Sequence, residues 1–298
     1  MTATSMNLSP VFLLYDLPGD EITTAWTKKL GGAKPTSTVR DEAGTVTKLW
    51  STSDPGLLRL VSGKLCDSRF LVADGHHRYE TALRYQEVKG GSPGLEACSG
   101  QALDHCLVYL ANMSDPALTI YPTHRLLTGL SEEVVKGLPG SLAGAFELES
   151  LNGPPREAIA AYLRKHARWA FGMWGPCLDE PYGLRLTDAC LAKRESGCSD
   201  ACQELDVTIL QTLVLEEELG ISASDVASEE RVAFFKDTGA AFAALAAGEF
   251  QLGFFLNAVG LDEVRALAFA GERMPQKTTF FHPKLPTGLV FHDLTGVL

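Results

Sequence analysis

The stretch FLVADGHHRYETAL, residues 70–83, predicts a strand that feeds a helix through a tight turn. Its apolar start is typical of a strand, Asp74-Gly75 favours a turn, and from His76 onward apolar side chains recur at the helical period. Such a junction directs the free backbone N–H groups of the first helical turn, and the positive end of the helix dipole, toward one spot. That spot attracts anions, and we expect it to bind a phosphate.

Basic side chains strengthen this expectation. His76, His77 and Arg78 occupy the first helical turn, where positive charge lowers helix stability. This loss of helix stability is offset if a phosphate or carboxylate neutralises the three basic side chains. We therefore predict that Gly75, His77 and Arg78 bind a phosphate or nucleotide.

The same junction carries four candidate catalytic residues, Asp74, His76, His77 and Glu80. Asp74 can accept the proton of a hydroxyl group or bind Mg²⁺, and Glu80 can orient a histidine. A structural interpretation stays open beside this one. In the structural interpretation, Asp74 caps the helix, and His76 and His77 form ordinary surface pairs with Glu80, which follows them by four and three residues.

A second motif, TIYPTHRLL at 119–127, repeats the pattern of an apolar strand followed by polar residues. Thr123, His124 and Arg125 follow Pro122 and are predicted to hold a second anion. The guanidinium of Arg125 offers a bidentate fork for it. The alternative is a surface turn with a solvated arginine.

A third motif, GERMPQKTTFFHPKLPTGLVF at 271–291, contributes Lys277, Thr278, His282 and Lys284 as candidate phosphate- or nucleotide-binding residues. In an extended stretch, Lys277 faces one way and Thr278 and His282 the other. A surface edge strand protected by lysines is the alternative. Four of the seven histidines fall in the three motifs of this acidic chain, which favours a shared function.

Short apolar runs alternate with helical patterns along the chain, which predicts an α/β or α+β fold with a mixed β-sheet flanked by helices. We expect one region over 1–298, in which Gly- and Ser-containing segments near 90–100 and 137–144 are loops or a weak boundary. Strands are predicted at 10–15, 46–51, 69–73, 105–112, 118–121, 168–174, 182–187, 231–235, 251–257 and 287–292. Helices are predicted at 19–30, 54–65, 76–88, 131–137, 155–167, 205–219, 238–247 and 261–270.

Composition narrows the class of protein. The chain has 298 residues, 45% of them hydrophobic, and a net charge of −11, which argues against nucleic acid as a partner and leaves room for a local basic pocket. The most apolar stretch, 240–256, is interrupted by polar residues, and no secretory signal is visible, so we expect a cytoplasmic protein without a membrane partner. The seven cysteines have no Cys-x-x-Cys spacing, and no structural zinc is expected. They are Cys66, Cys98, Cys106, Cys177, Cys190, Cys198 and Cys202.

The motifs ADGHHRYETAL, YPTHRLL and GERMPQKTTFFHPKLPTGLV, in this order, resemble the uncharacterised prokaryotic family known as domain of unknown function 1015. SPVFLLY and LDVTILQTLVLEEELGI are also similar to it, so the resemblance covers 9–291. The core Gly75-His76-His77-Arg78 further resembles the phosphate-binding motif of the ParB/sulfiredoxin superfamily, which includes a free-serine kinase. This second resemblance implies a ParB/sulfiredoxin-like core with helical additions.

The chain departs from the family in two respects. Members usually carry a further N-terminal region with a His-Glu motif, which we expect this chain to lack. If that region supplies an acid, base or metal ligand, the protein is a partial or inactive form or needs a partner. In addition, Thr278 and His282 stand where the family more often has Ser and Tyr.

Three functions follow as hypotheses. The leading one is phosphoryl transfer between a nucleotide, ATP or ADP with Mg²⁺, and a small hydroxylated metabolite such as serine. The second is a non-catalytic or degenerate nucleotide-binding module. The third is a metal-dependent phosphatase or other hydrolase, with His76 and Glu80 as ligands. Direction of transfer and oligomeric state, a homo-oligomer included, stay open.

Overall fold

The computed structural model of the chain describes residues 1–42, 44–90, 101–191, 199–272, 274–275 and 277–296. The fold is mixed α/β, with several sheets flanked by helices, as the sequence predicts. Cys98, Cys198 and the loop predicted near 90–100 lie outside the described residues, Gly90 excepted.

Strands and helices alternate along the described residues. The strands are β1 (Met6–Asn7), β2 (Val11–Tyr15), β3 (Ser37–Arg40), β4 (Val46–Leu49), β5 (Phe70–Asp74), β6 (Val108–Asn112), β7 (Thr119–Tyr121), β8 (His124–Leu127), β9 (Phe146–Ser150), β10 (Ala170–Trp174), β11 (Tyr182–Leu186), β12 (Val232–Phe235), β13 (Leu252–Leu256), β14 (Phe280–His282) and β15 (His292–Asp293). The helices are α1 (Glu21–Leu30), α2 (Pro55–Leu65), α3 (His76–Gly90), α4 (Glu132–Leu142), α5 (Pro155–Lys165), α6 (Asp188–Leu191), α7 (Asp200–Gln203), α8 (Asp206–Ile209), α9 (Ala223–Ser228), α10 (Thr238–Ala246) and α11 (Leu261–Phe269). A short 3₁₀ turn spans Ala102–Asp104, and a π-helical segment, Leu210–Glu218, follows α8.

The chain forms two compact units. The first comprises Met1–Thr119 and Pro283–Leu298, and the second comprises Ile120–His282. Residues 137–144 lie inside the second unit, so the units do not divide there. The prediction of one region over 1–298 stays a prediction.

A three-stranded sheet, β5-β2-β6, forms the centre of the first unit. Strand β2 runs antiparallel to β5 and parallel to β6, and it is the best buried of the three. Its apolar sequence VFLLY explains this position, because a central strand presents side chains to both sides. The hairpin of β3 and β4 and the short pair of β1 and β15 complete the strands of this unit.

The second unit is built on a six-stranded antiparallel sheet in the order β12-β8-β13-β10-β11-β9. Every residue of β13 (LGFFL) and β8 (HRLL) is buried. Helices α5 and α10 pack on the sheet, where the rings of Phe242 and Phe255 stack with centroids 4.2 Å apart. The short strands β7 and β14 pair with each other.

Two local predictions are wrong, for identifiable reasons. Residues 287–290 form turns, where Gly288 adopts a left-handed φ of 89°, and of the predicted strand 287–292 only His292 pairs, as part of β15. Residues 137–142 continue α4, because Leu138 and Leu142 are buried on its apolar face despite the nearby glycines and proline. The helix predicted over 205–219 is present, as α8 followed directly by the π-helical segment.

Two features of the described residues are relevant to function. They contain no group of three or more His, Cys, Asp or Glu side chains arranged to hold a metal ion. Among them, no helix combines the length and the apolar character needed to cross a bilayer.

Two strand glycines allow α5 to approach the sheet of the second unit. A Cβ atom on Gly172 would lie 2.3 Å from Cγ2 of Ile159, and one on Gly183 would lie 2.4 Å from the ring of Tyr162. Real Cβ atoms do not come so close to neighbouring atoms. The helix can therefore pack here only against residues without a side chain.

We expect Gly172→Ala to lower the free energy of unfolding by about 1–3 kcal/mol, because the added methyl group overpacks the contact with Ile159. Urea denaturation measures the change. Gly137→Ala is the control, since Gly137 is exposed in α4 with no atom within 4 Å of an added Cβ. It should be neutral or stabilising by up to about 1 kcal/mol. Equal stability of Gly172→Ala and the native chain would contradict this account of the packing.

Asp206 stabilises a strained turn in the second unit. Its Oδ1 atom accepts a hydrogen bond of 2.7 Å from the backbone N–H of Trp169, whose φ of 56° is left-handed. Burial raises the pKa of Asp206 to about 7, opposed by the bond from Trp169. The folded protein therefore holds this proton more tightly than the unfolded chain. The linked stability is present below about pH 4 and is lost as the pH rises through about 7.

Asp206→Asn should be more stable than the native chain at pH 8, by on the order of 2 kcal/mol, with a difference that shrinks toward pH 4. The amide keeps an oxygen for the Trp169 N–H and carries no charge. Thermal unfolding across this pH range tests the expectation. Asp262→Asn, at a side chain 95% exposed, is the control and should show no such trend. A variant less stable than the native chain at pH 8 would show that the carboxylate itself is needed.

Candidate functional site

A pocket of about 390 Å³ lies in the first unit, at the end of β5. Its charged lining side chains are Asp74, Arg78 and Lys284. The complete lining consists of Ser9, Pro10, Phe12, Asp74, Arg78, Lys284, Leu285 and Thr287.

The junction predicted from residues 70–83 forms one wall of this pocket. Strand β5 ends at Asp74, Gly75 adopts a left-handed φ of 91°, and α3 begins at His76. The guanidinium of Arg78 folds back over the glycine, so that a Cβ atom at Gly75 would lie 2.8 Å from its Cζ. The position therefore requires glycine twice, for its backbone angle and for the space above it.

Two cations converge on one carboxylate. Arg78 donates from Nη2 to Oδ2 of Asp74 at 2.5 Å, and Lys284 donates from Nζ to Oδ1 of the same side chain at 2.9 Å. The side chains of Asp74 and Arg78 are each 36% exposed, and that of Lys284 is 41% exposed. The three charges are therefore within reach of a dissolved ligand.

Neutral groups fix the arginine in place. Nη1 of Arg78 donates to the Ser9 hydroxyl at 2.8 Å and to the backbone oxygen of Pro10. The Ser9 hydroxyl in turn lies 3.3 Å from that of Thr287. The pocket thus combines two cations, one carboxylate and two hydroxyl groups.

The histidines of the first motif lie on the exposed part of α3 and do not line the pocket. His77 is 95% exposed, and its Nδ1 atom lies 3.4 Å from Oε2 of Glu80. This contact fits both the predicted orientation of a histidine by Glu80 and an ordinary surface pair. The catalytic roles of His76, His77 and Glu80 stay predictions.

The second motif differs from the predicted strand end, because His124 and Arg125 belong to β8 and are buried between β12 and β13. The Arg125 guanidinium donates from Nη1 to the carbonyl and hydroxyl oxygens of Thr123 and lies over the ring of Phe234. Burial lowers its pKa to about 10. The alternative of a surface turn with a solvated arginine is therefore wrong. The predicted anion binding by this motif stays a prediction.

His124 lines a second pocket, of about 320 Å³, in the second unit. Its Nε2 lies 2.9 Å from the Thr238 hydroxyl, and its Nδ1 accepts the backbone N–H of Leu256 at 3.4 Å. Burial, with Arg125 second, lowers the pKa of His124 to about 4. The ring is therefore neutral near pH 7. The lining comprises Pro122, His124, Ile159, Ala160, Leu163, Arg164, Thr238, Phe255, Leu256, Asn257 and Ala258.

The third motif is divided between the units. Lys284 belongs to the first unit, whereas Lys277, Thr278 and His282 belong to the second. Lys277 has a φ of 59°, so the extended alternation predicted from it does not begin there. Its Nζ pairs with Glu229 at 2.8 Å.

The other two residues of this motif are held within the second unit. The Thr278 hydroxyl is buried and donates to the backbone oxygen of Pro275 at 2.6 Å, and His282 packs edge-on against Tyr121. Thr123 also joins the second and third motifs, because its hydroxyl donates to the backbone oxygen of Lys277 at 2.6 Å. The roles of Lys277, Thr278 and His282 in binding phosphate or nucleotide stay predictions.

Of the predicted residues, the first unit brings Asp74, Arg78 and Lys284 into one pocket, although 210 positions separate the first and last. Sequence reasoning missed the two hydroxyl groups of the pocket, on Ser9 and Thr287. Their signal was weak. Ser9 comes just before the apolar run of β2, and Thr287 lies in a Pro-Thr-Gly turn, where a hydroxyl residue is common without any function.

Comparison with solved structures finds distant likenesses. A mutant free serine kinase in complex with AMP is 16% identical, with a TM-score of 0.47, over 99% of this chain and 80% of that one. A mutant of free serine kinase in complex with ADP is 16% identical, with a TM-score of 0.43, over 95% and 88%. A conserved hypothetical protein from Pyrococcus furiosus is 14% identical, with a TM-score of 0.43, over 96% and 81%.

These TM-scores are all below 0.5, and neither ligand nor activity is carried over from those proteins. No curated protein matches the chain. Residues 1–208 match the family described as "Protein of unknown function (DUF1015)". Because the match covers well over half of the 298 residues, the chain belongs to this family.

Proposed function

We propose that the pocket of the first unit binds the phosphate of a nucleotide or phosphorylated metabolite, and that the protein transfers a phosphoryl group to or from a small hydroxylated metabolite such as serine. The observation that carries the proposal is the convergence of Arg78 and Lys284 on one point of an open pocket, beside the first turn of α3. A phosphate needs this combination of positive charge, hydroxyl donors and backbone N–H groups.

The arrangement suits the charge that develops during phosphoryl transfer. That charge spreads over the equatorial oxygens of the transferred group, and catalysis consists mainly of neutralising it and positioning the acceptor. Arg78 offers its Nη2 atom, since its Nη1 atom is held by Ser9 and Pro10. Lys284 offers a mobile point charge, and Ser9 and Thr287 supply neutral donors. Donors that already surround the bound phosphate need little reorganisation in the transition state.

Asp74 is the proposed proton acceptor. As the acceptor hydroxyl oxygen bonds to phosphorus and the bond to the leaving oxygen breaks, the hydroxyl proton passes to a carboxylate oxygen of Asp74. We propose that His76 or His77 assists this proton transfer at the exposed end of α3. Glu80 lies 3.4 Å from His77 and orients it.

In this proposal, Mg²⁺ binds only together with the nucleotide. It commonly binds through one or two carboxylates together with substrate phosphates and water, and Asp74 is the carboxylate of this pocket. The described residues hold no group of three or more metal-ligating side chains, and the metal-dependent hydrolase stays a hypothesis. A ParB/sulfiredoxin-like core is retained as part of the proposal, from the resemblance of residues 75–78.

A second candidate function is a ligand-binding module without catalysis. The exposed positions of His76 and His77, outside the pocket lining, favour it. The two functions differ in turnover. Incubation with ATP, Mg²⁺ and serine, followed by ³¹P NMR for a phosphomonoester product, separates them. Nucleotide binding without product favours the module.

We expect Lys284→Gln to weaken nucleotide binding about tenfold, because it removes one of the two cations that face the ligand phosphate. The measurement is isothermal titration calorimetry with ADP and ATP, in the presence and absence of Mg²⁺. Lys64→Gln is the matched control, since Lys64 is also an ion-paired lysine of the first unit, 43% exposed and 2.8 Å from Glu21. The control should bind as the native chain does. Absence of nucleotide binding by the native chain would overturn the proposed function.

A further inference from the structure

An anion already occupies the place where the proposed ligand would bind. The carboxylate of Asp74 accepts from Arg78 with one oxygen and from Lys284 with the other. We propose that Asp74 is an internal competitor for these cations, which a phosphate with two or more negative charges displaces, and that the displacement frees Asp74 to act on the substrate. This inference rests on the proposed function.

The net charge of the pocket determines how many negative charges a ligand needs in order to bind. Two cations and one carboxylate leave a net charge of +1, and the other lining side chains are uncharged. A ligand with a single negative charge, such as a carboxylate or a phosphodiester, exchanges one anion for another and gains little. A phosphomonoester or a terminal nucleotide phosphate carries nearly two charges and three acceptor oxygens, so it can satisfy both cations at once. The pocket is thereby suited to phosphomonoesters and terminal phosphates.

The hydrogen bonds show how the exchange can occur without disturbing the fold. Arg78 is anchored through Nη1 to Ser9 and Pro10, and only its Nη2 atom is shown bonded to Asp74. The guanidinium can therefore change its charged partner while it stays over Gly75. The ammonium of Lys284 is 41% exposed on a flexible stem and can follow the ligand.

The backbone of Asp74 stays in place during this exchange. It pairs with Phe12 at the end of β5, so the carboxylate remains beside the ligand after it has lost its cations. A carboxylate relieved of two charge-assisted bonds has both oxygens available to accept a hydrogen bond from the substrate hydroxyl. Binding of the phosphate therefore releases the carboxylate of Asp74, because Arg78 and Lys284 take part in both events.

The test compares ligands of different charge in the native chain and Asp74→Asn. Methyl phosphate (nearly two charges at pH 8) and dimethyl phosphate (one charge) are titrated and followed by ³¹P NMR. Removal of the competing charge should tighten methyl phosphate about tenfold and dimethyl phosphate about threefold, because the electrostatic gain scales with ligand charge. Asp54→Asn is the matched control, an aspartate of the same unit that pairs with Lys29 at 2.8 Å. It should change neither affinity.

The outcomes separate the inference from the proposed function. Weaker binding of both ligands by Asp74→Asn would mean that Asp74 only positions Arg78, and would overturn the inference while phosphate binding by the native chain still stands. Unchanged affinities would overturn it as well. No binding by either protein would overturn the proposed function together with the inference. The double variant Asp74→Asn with Lys284→Gln guards against a folding artefact. If this variant is folded and lacks the tighter phosphate binding of Asp74→Asn, the result supports competition between Asp74 and the ligand for Lys284.

Discussion

The site depends on the contact between the Arg78 guanidinium and the bare backbone of Gly75. A left-handed residue without a side chain is needed to turn β5 into α3, and the same missing side chain makes room for the arginine. Once there, Arg78 binds the Ser9 segment and the end of β5 together. An arginine so constrained loses little conformational freedom when a ligand arrives, which favours tight recognition of an anion.

Sequence reasoning predicted this region well because its signals are local. The pair Asp74-Gly75 has few alternatives to a turn, the apolar run before it predicts a strand, and the helical period after it predicts a helix. The partnership of Asp74 with Lys284 had no such signal, since it depends on chain segments that meet only in the folded unit. Lys284 is predicted as a binding residue because it lies among other polar and basic residues of the third motif. Nothing in the sequence predicts its pairing with Asp74.

The second motif shows why polarity in the sequence is an uncertain guide to exposure. Thr123, His124 and Arg125 look like the polar end of a strand, yet they are among the most buried polar residues described. Each finds hydrogen-bond partners in its own unit, which removes most of the penalty of burial. The partners of His124 come from α10 and β13, and the Thr123 hydroxyl donates to the backbone oxygen of Lys277. No local sequence pattern predicts partners so distant along the chain.

The two pockets differ in the electrostatics that they offer a ligand. The pocket at the end of β5 holds two cations and a carboxylate that can exchange partners. The pocket at His124 is lined by a single charged residue, Arg164, and by a neutral ring whose two nitrogens are engaged in hydrogen bonds. A neutral buried imidazole attracts no anion by charge, and its protonation near pH 7 is opposed by burial and by Arg125. We therefore propose phosphate chemistry at the first pocket, where the removal of one ion pair and the formation of another involve side chains that water already reaches. That exposure makes the exchange at Asp74 energetically accessible, since no buried charge has to be left without a partner along the way.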